Sequence, residues 1–109
     1  MNDKPLVWMG STLEDVRSFP DVARRLVGYQ LRRVQSGLMP SDWRPMKVVG
    51  PGVIEIRVHT GLEYRVFYLA RFPEAIYVLH AFEKHGRKTA RADIELARRR
   101  LADVMEHRG

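Results

Sequence analysis

The chain contains no cysteine, which removes disulfides and thiolate metal sites from consideration. Its four histidines, His59, His80, His85 and His107, lack any ligand spacing such as i, i+4 on a helix, so no metal and no other cofactor is expected. No apolar run approaches the roughly 18 residues needed to span a bilayer. The opening Met1-Asn2-Asp3-Lys4-Pro5 has neither the basic nor the apolar region of a secretory leader. The expectation is a protein of the cytoplasm with no membrane partner. Acidic residues are also short: 13 Asp and Glu face 19 Lys and Arg, for a formal charge of +6.

What is present is a folding composition. Apolar residues make up 45% of the 109 positions, too many for a disordered chain. The length suits one continuous hydrophobic core and is too short for two, so residues 1–109 are expected to form a single domain. The basic excess favours polyanionic partners through counterion release. It is concentrated: from Lys84 to Gly109 eight basic residues face four acidic ones.

Hydrophobic periodicity gives the order of elements. Leu6-Val7-Trp8-Met9 is short and ends at Gly10, as a strand does. Ser11 with Glu14 three residues later has the form of a capping box, opening a first helix that Pro20 breaks. A second helix runs from Pro20-Asp21 to Ser36, with Gly37 as its stop; its apolar stripe is Ala23, Leu26, Val27, Leu31 and Val34. Leu38 to Gly52 carries Pro40, Pro45 and Gly50 and reads as a loop anchored by Trp43. Val53–Val58, Tyr64–Leu69 and Ala75–Phe82 then form a meander of three strands. A last helix begins near Thr89, with Ile94, Ala97, Leu101 and Val104 turned inward and Arg91, Arg98 and Arg99 toward water. The fold class is α+β: a small antiparallel sheet, the meander plus the N-terminal strand, packed against two N-terminal helices and a C-terminal helix.

The chemistry lies on the meander. If the first hairpin is symmetric about Gly61, positions summing to 122 face each other. Ile56 then opposes Val66, Ile54 opposes Tyr68, and Val58 opposes Tyr64. The same register sets Arg57 directly opposite Arg65, with Glu55 opposite Phe67, on a face expected to be exposed. Like charges opposed across strands cost a fraction of a kcal/mol, whereas a phosphate between two guanidinium forks would offset that cost. Two features compete with an anion site: Glu55 or Glu63 could pair with an arginine, or the turn could be asymmetric.

Beyond the third strand, Leu79-His80-Ala81-Phe82-Glu83-Lys84-His85-Gly86-Arg87-Lys88-Thr89 combines an aromatic with two histidines and several cations. Phe82 is a candidate for stacking on a base while Lys84, His85, Arg87, Lys88 and, on the helix, Arg91 hold the backbone. The competing reading makes Phe82 and His80 core side chains and the cations a solvated loop.

The strand Tyr64-Arg65-Val66-Phe67-Tyr68, the segment Leu79-His80-Ala81-Phe82-Glu83-Lys84, the pair Lys88-Thr89 and the closing basic helix together resemble the RelE/HigB toxins, especially their phage-derived HigB-like branch. The resemblance covers nearly the whole chain. It implies the toxin of a type II toxin-antitoxin system: an mRNA interferase that cuts mRNA on the ribosome and is held inactive by a cognate antitoxin, often one with a helix-turn-helix domain. It places the catalytic arginine at Arg65 and the basic residue after the last strand at Lys84, with Arg57 on the preceding strand; His80, His85 or Glu83 are further candidates for proton transfer. No Tyr follows Tyr77, so the tyrosine that some relatives carry near the last helix has no counterpart. Trp8, Trp43 and Phe67 are candidate docking points for the antitoxin. The contrary readings are a ParE-like toxin acting on DNA gyrase without catalysis, or a plain RNA-binding module.

Overall fold

Alternation of apolar and polar side chains around a tight glycine turn makes a hairpin, and in the computed structural model, which describes residues 3–109, that hairpin is the centre of a five-stranded sheet. The elements are β1 (Leu6–Trp8), α1 (Thr12–Ser18), α2 (Asp21–Gln35), β2 (Trp43–Pro45), β3 (Val53–His59), β4 (Glu63–Leu69), β5 (Ile76–Glu83) and α3 (Arg91–Arg108). Strands lie in the order β1-β5-β4-β3-β2. The meander β3-β4-β5 is antiparallel, as expected, while β1 pairs with β5 in parallel and makes the sheet mixed.

The register of the hairpin is the one read from its turn. All seven β3–β4 pairs sum to 122, from Val53 opposite Leu69 to His59 opposite Glu63, and Gly61 takes the positive φ of 97° that the connection requires. The stretch expected to be a loop contains β2, which pairs Arg44 with Glu55 on the sheet's edge. Pro45 is tolerated there because an edge strand has one side without ladder bonds.

Both faces of the sheet are covered. On one, Val16 of α1 and Ala23, Val27, Leu31 and Val34 of α2 pack against Ile56, Val58, Tyr64, Val66, Tyr68 and Val78. On the other, Ala97 and Val104 of α3 pack against Val53, Phe67, Leu69, Tyr77 and Leu79. This corrects the expectation of an exposed second face: Phe67 is fully buried, and Arg65 is only 3% exposed. The apolar stripe of α2 is also narrower than read, since Leu26 is exposed and Gln30 is buried, its side chain bonded to Ser41.

A register shift in β5 serves this second face. Phe67 pairs with His80 and Tyr68 with Val78, leaving Leu79 as the extra residue of a bulge. Leu79 joins the core beneath α3, and next to it His80 meets Asp93 and Arg100 of that helix. Arg100 also donates to the carbonyl of Leu79 and to the hydroxyl of Ser11. The Ser11 hydroxyl is thereby engaged with Arg100 and Asp15, and it makes no capping bond to α1, so the anticipated capping box does not form.

Candidate functional site

The row of side chains formed by Arg57, Arg65 and Phe82 crosses β3, β4 and β5 on the α3 face. At the β2 side of this face lies a depression of about 250 Å³, lined among others by Arg44, Glu55, Arg57, Arg65, Lys84 and Arg87. Five cations face one carboxylate. Each arrives by a local rule: strand alternation turns Glu55, Arg57 and Arg65 to one side, β2–β3 pairing brings Arg44 beside Glu55, and the chain leaving β5 carries Lys84 and Arg87.

Arg65 is the most constrained member. Its Nη1 donates to a Glu63 carboxylate oxygen at 3.0 Å and to the carbonyl of Tyr64 at 3.0 Å. Its Nε stands 3.6 Å from Glu55, too far for a hydrogen bond. Both arginine-carboxylate pairings weighed from the sequence therefore occur. Even so, the Nε atoms of Arg57 and Arg65 are buried without a hydrogen-bond partner among the described residues. Such donors are costly in a finished core, and Arg65 Nε keeps only its ion-pair contact with Glu55; an oxyanion would meet the guanidinium groups at the surface with which they line the depression.

Lys84 lines the depression and also organises its rim, since its ammonium donates to the carbonyls of Gly86 at 3.0 Å and Arg87 at 2.7 Å. Arg87, Lys88 and Arg91 are exposed or nearly so, and of these only Arg87 lines the depression. His85 projects into solvent with its side chain 80% exposed.

Two candidates are placed elsewhere. Phe82 is buried, its ring 4.6 Å from that of His80 in a stacked pair and 5.3 Å from Phe67, so base stacking on Phe82 is not available without moving the core. His80 does not line the depression. Its Nε2 donates to Asp93 at 2.7 Å, while Nδ1 faces Arg100 Nη1 at 3.4 Å. Burial holds its pKa below the ordinary histidine value against the opposing pull of Asp93. A neutral ring, donating on one side and accepting on the other, fits these partners.

Sequence reasoning missed Arg44, hidden in a stretch that its prolines marked as a loop. It weighed Glu63 only as a partner for an arginine and did not pair it with His59, although the same 122 rule makes the two the closing pair of the hairpin. His59 Nδ1 lies 2.7 Å from a Glu63 oxygen, and its Nε2 lies 2.6 Å from Asp42. Among the described residues, no group of three or more His, Cys, Asp or Glu is placed to hold a metal ion, and no helix is long and apolar enough to cross a membrane.

A small α+β protein with helices on both faces of a meander and a cation-lined depression where the helical cover stops is the class that this fold and site define. The chain belongs to the phage-derived Gp49-like protein family (DUF891), which matches residues 14–102. It is a toxin-like family related to RelE and HigB. No curated protein matches the chain in sequence.

Proposed function

We propose that this protein is the toxin of a type II toxin-antitoxin system, an mRNA interferase of the HigB-like branch that acts in the cytoplasm on mRNA held by the ribosome. The observation that carries the reading is the opposition of Arg57 and Arg65 in a depression that Arg44, Lys84 and Arg87 also line, five cations with one carboxylate. The reaction is attack of an RNA 2′-hydroxyl on the adjacent phosphate: the 2′-oxygen forms a bond to phosphorus, the bond to the 5′-oxygen breaks, and a proton moves from the first oxygen to the second. Such a step needs alignment, stabilisation of the charged phosphorane and management of that proton. Arg57 and Arg65 would contact the nonbridging oxygens, Lys84 the same phosphate from the rim, and Arg87, Lys88 and Arg91 the flanking backbone. The ribosome would supply part of the alignment, and a cognate antitoxin would hold the toxin inactive.

One observation favours a second reading, in which the protein binds without cutting. Neither His80 nor His85 lines the depression, so it lacks the imidazoles that the sequence offered for proton transfer. Mapping RNA ends on translating ribosomes, with wild type and with Arg57→Ala, tests the choice. New ends that depend on Arg57 are the expected result; inhibition of growth without any new ends would replace the nuclease by a non-enzymatic toxin.

A further inference from the structure

Antiparallel pairing that sets Arg57 opposite Arg65 sets His59 opposite Glu63 one step further along, on the same face of the sheet. Asp42, which precedes β2, completes the line of bonded groups: its carboxylate lies 2.6 Å from His59 Nε2, and its carbonyl accepts the backbone N–H of Arg57 at 3.0 Å. His59 Nδ1 meets both oxygens of Glu63, at 2.7 and 2.9 Å. The nearer of these oxygens also accepts from Arg65 Nη1 at 3.0 Å. Four ionisable groups from three segments are thus joined in one line that ends on the most buried cation of the depression.

A neutral imidazole has one N–H and cannot donate to two carboxylates at once, whereas the imidazolium can. Asp42 and Glu63 on opposite ring nitrogens therefore select the charged ring. In agreement, the hydrogen bond to Glu63 and then that to Asp42 raise the pKa of His59, and the bond from His59, followed by that from Arg65, lowers the pKa of Glu63. Glu63 is shared between two cations. While His59 is charged, it offsets part of the carboxylate that would otherwise belong to Arg65 alone.

We propose that His59 is a positioning residue for the anion site, its imidazolium holding Glu63 so that Arg65 remains available to a phosphate of an RNA strand. This inference rests on the anion-site reading given above and does not require that the strand be cut. When the ring loses its proton it keeps one N–H, and one carboxylate loses its donor; the Glu63 charge then falls to Arg65, where it competes with phosphate. The groups facing His59 are Asp42 before β2, Glu63 on β4 and, through Glu63, Arg65; Arg57 on β3 touches Asp42 only through its backbone. Phosphate affinity should fall as pH rises through the elevated pKa of His59. Reciprocally, a bound phosphate should raise that pKa further.

The test uses an RNA strand methylated at every 2′-hydroxyl, which binds but cannot be cut, and follows fluorescence anisotropy from pH 6 to pH 9 at constant ionic strength. Wild type should weaken roughly tenfold across this window, within the usual range of coupling between two sites. His59→Gln should bind weakly and without that slope, while His107→Gln, altered at an exposed position near the end of α3, should keep it. Glu63→Gln should lose the slope yet bind at least as tightly as wild type does at pH 6. NMR titration of the His59 ring, which needs no RNA, should give a pKa above the ordinary histidine value that drops in Asp42→Asn and Glu63→Gln. The proposal is overturned if His59→Gln retains the wild-type slope, or if Glu63→Gln weakens binding at every pH. Binding with this slope but no cleavage on ribosomes would remove the nuclease and leave the positioning role. Cleavage with a slope unaffected by His59→Gln would do the reverse, and no binding by wild type would remove both.

Discussion

Arg57 and Arg65 face each other across β3 and β4, and each buries an Nε that has no hydrogen-bond partner among the described residues. A sheet gains nothing from opposing two guanidinium groups. The pair is held because the rest of the hairpin is over-determined: Ile54, Ile56 and Val58 must meet Tyr68, Val66 and Tyr64 on the other side, and a slip of one residue in β3 would turn them to the α3 face and put Glu55 and Arg57 beneath α1 and α2.

Arg65→Ala should remove RNA cleavage by on the order of 10²-fold or more, as expected for loss of one preorganised donor to a developing oxyanion. It should also destabilise the protein. Arg65 is buried between Glu55 and Glu63, so its removal leaves the buried Glu55 carboxylate without its nearest cation on β4, at a cost of about 2 kcal/mol; Arg44, opposite Glu55 on β2, limits the loss. Arg65→Lys separates the two effects, because it keeps the charge and forfeits the guanidinium fork. Urea unfolding beside primer extension on treated ribosomes reads both, and an Arg65→Lys variant that folds and cuts at the wild-type rate would exclude Arg65 from the site.

The hairpin and its Arg57–Arg65 pair were legible because alternation and a single turn fix an antiparallel register arithmetically. The burial of that pair was not. Arg65 and Glu55 suggested a solvent face, yet Phe67 and Leu69 share it, and α3 covers the apolar part while ending short of the charged part. A face that mixes such residues is half covered. Arg100 offered a similar signal: between Ala97 and Val104, at helical spacing from both, it belongs to the inner side of α3, where it bonds Leu79, Ser11 and His80. His80 then reads as a structural ring. By contrast, Arg44 and Asp42 lie in a proline-rich stretch whose edge strand leaves no periodicity to find.

The loop beyond β5 should supply affinity more than chemistry. Replacing Arg87, Lys88 and Arg91 together by Ala should flatten the dependence of log K on log salt by about one unit for each phosphate that is no longer neutralised, with cleavage preserved at saturating protein. Arg87 should account for more than its share, since it lines the depression, and Arg91 for less, with its Nε 3.9 Å from Glu95. An unchanged slope in the triple variant would make this cluster ordinary solvated surface.

His80 should make the fold sensitive to acid. Burial lowers its folded-state pKa below the unfolded value of about 6.5, so the unfolded chain binds the extra proton more readily. The sign follows from linkage: the contribution is fully present above the unfolded pKa and is lost as pH falls below it toward the folded value. Thermal unfolding between pH 7.5 and pH 5 should show a falling Tm, and His80→Gln, whose amide can still donate toward Asp93 and accept from Arg100, should reduce the decline. His59, with a raised pKa, acts in the opposite direction, losing its contribution as pH rises, and its side chain is 47% exposed, so its effect on Tm should be the smaller. An identical decline in His80→Gln would assign the acid sensitivity to other groups.

The antitoxin should dock on α2 rather than on the aromatics that the sequence offered. Phe67 is buried, and Trp8 packs partly into the core beneath α1 and α2, leaving only Trp43 of those three exposed to a partner. On α2, however, Val22, Leu26 and Tyr29 recur at i, i+4 and i+7 with exposures of 59%, 37% and 57%, an apolar stripe that no element among the described residues covers. Arg25 is exposed beside it, and Arg33 follows Tyr29 one turn later on the same side. Apolar residues edged by guanidinium groups fit an amphipathic segment whose flanks are acidic: opposite charge speeds association, and the buried anchors slow release. Tyr29→Asp replaces an anchor with a charge of the wrong sign for that partner, at a position that contributes little to the fold. It should weaken antitoxin binding at least tenfold, mainly through a faster off-rate, while leaving RNA cleavage intact. Coexpressed antitoxin would then fail to rescue growth. Wild-type affinity in Tyr29→Asp, measured by surface plasmon resonance, would move the interface off α2.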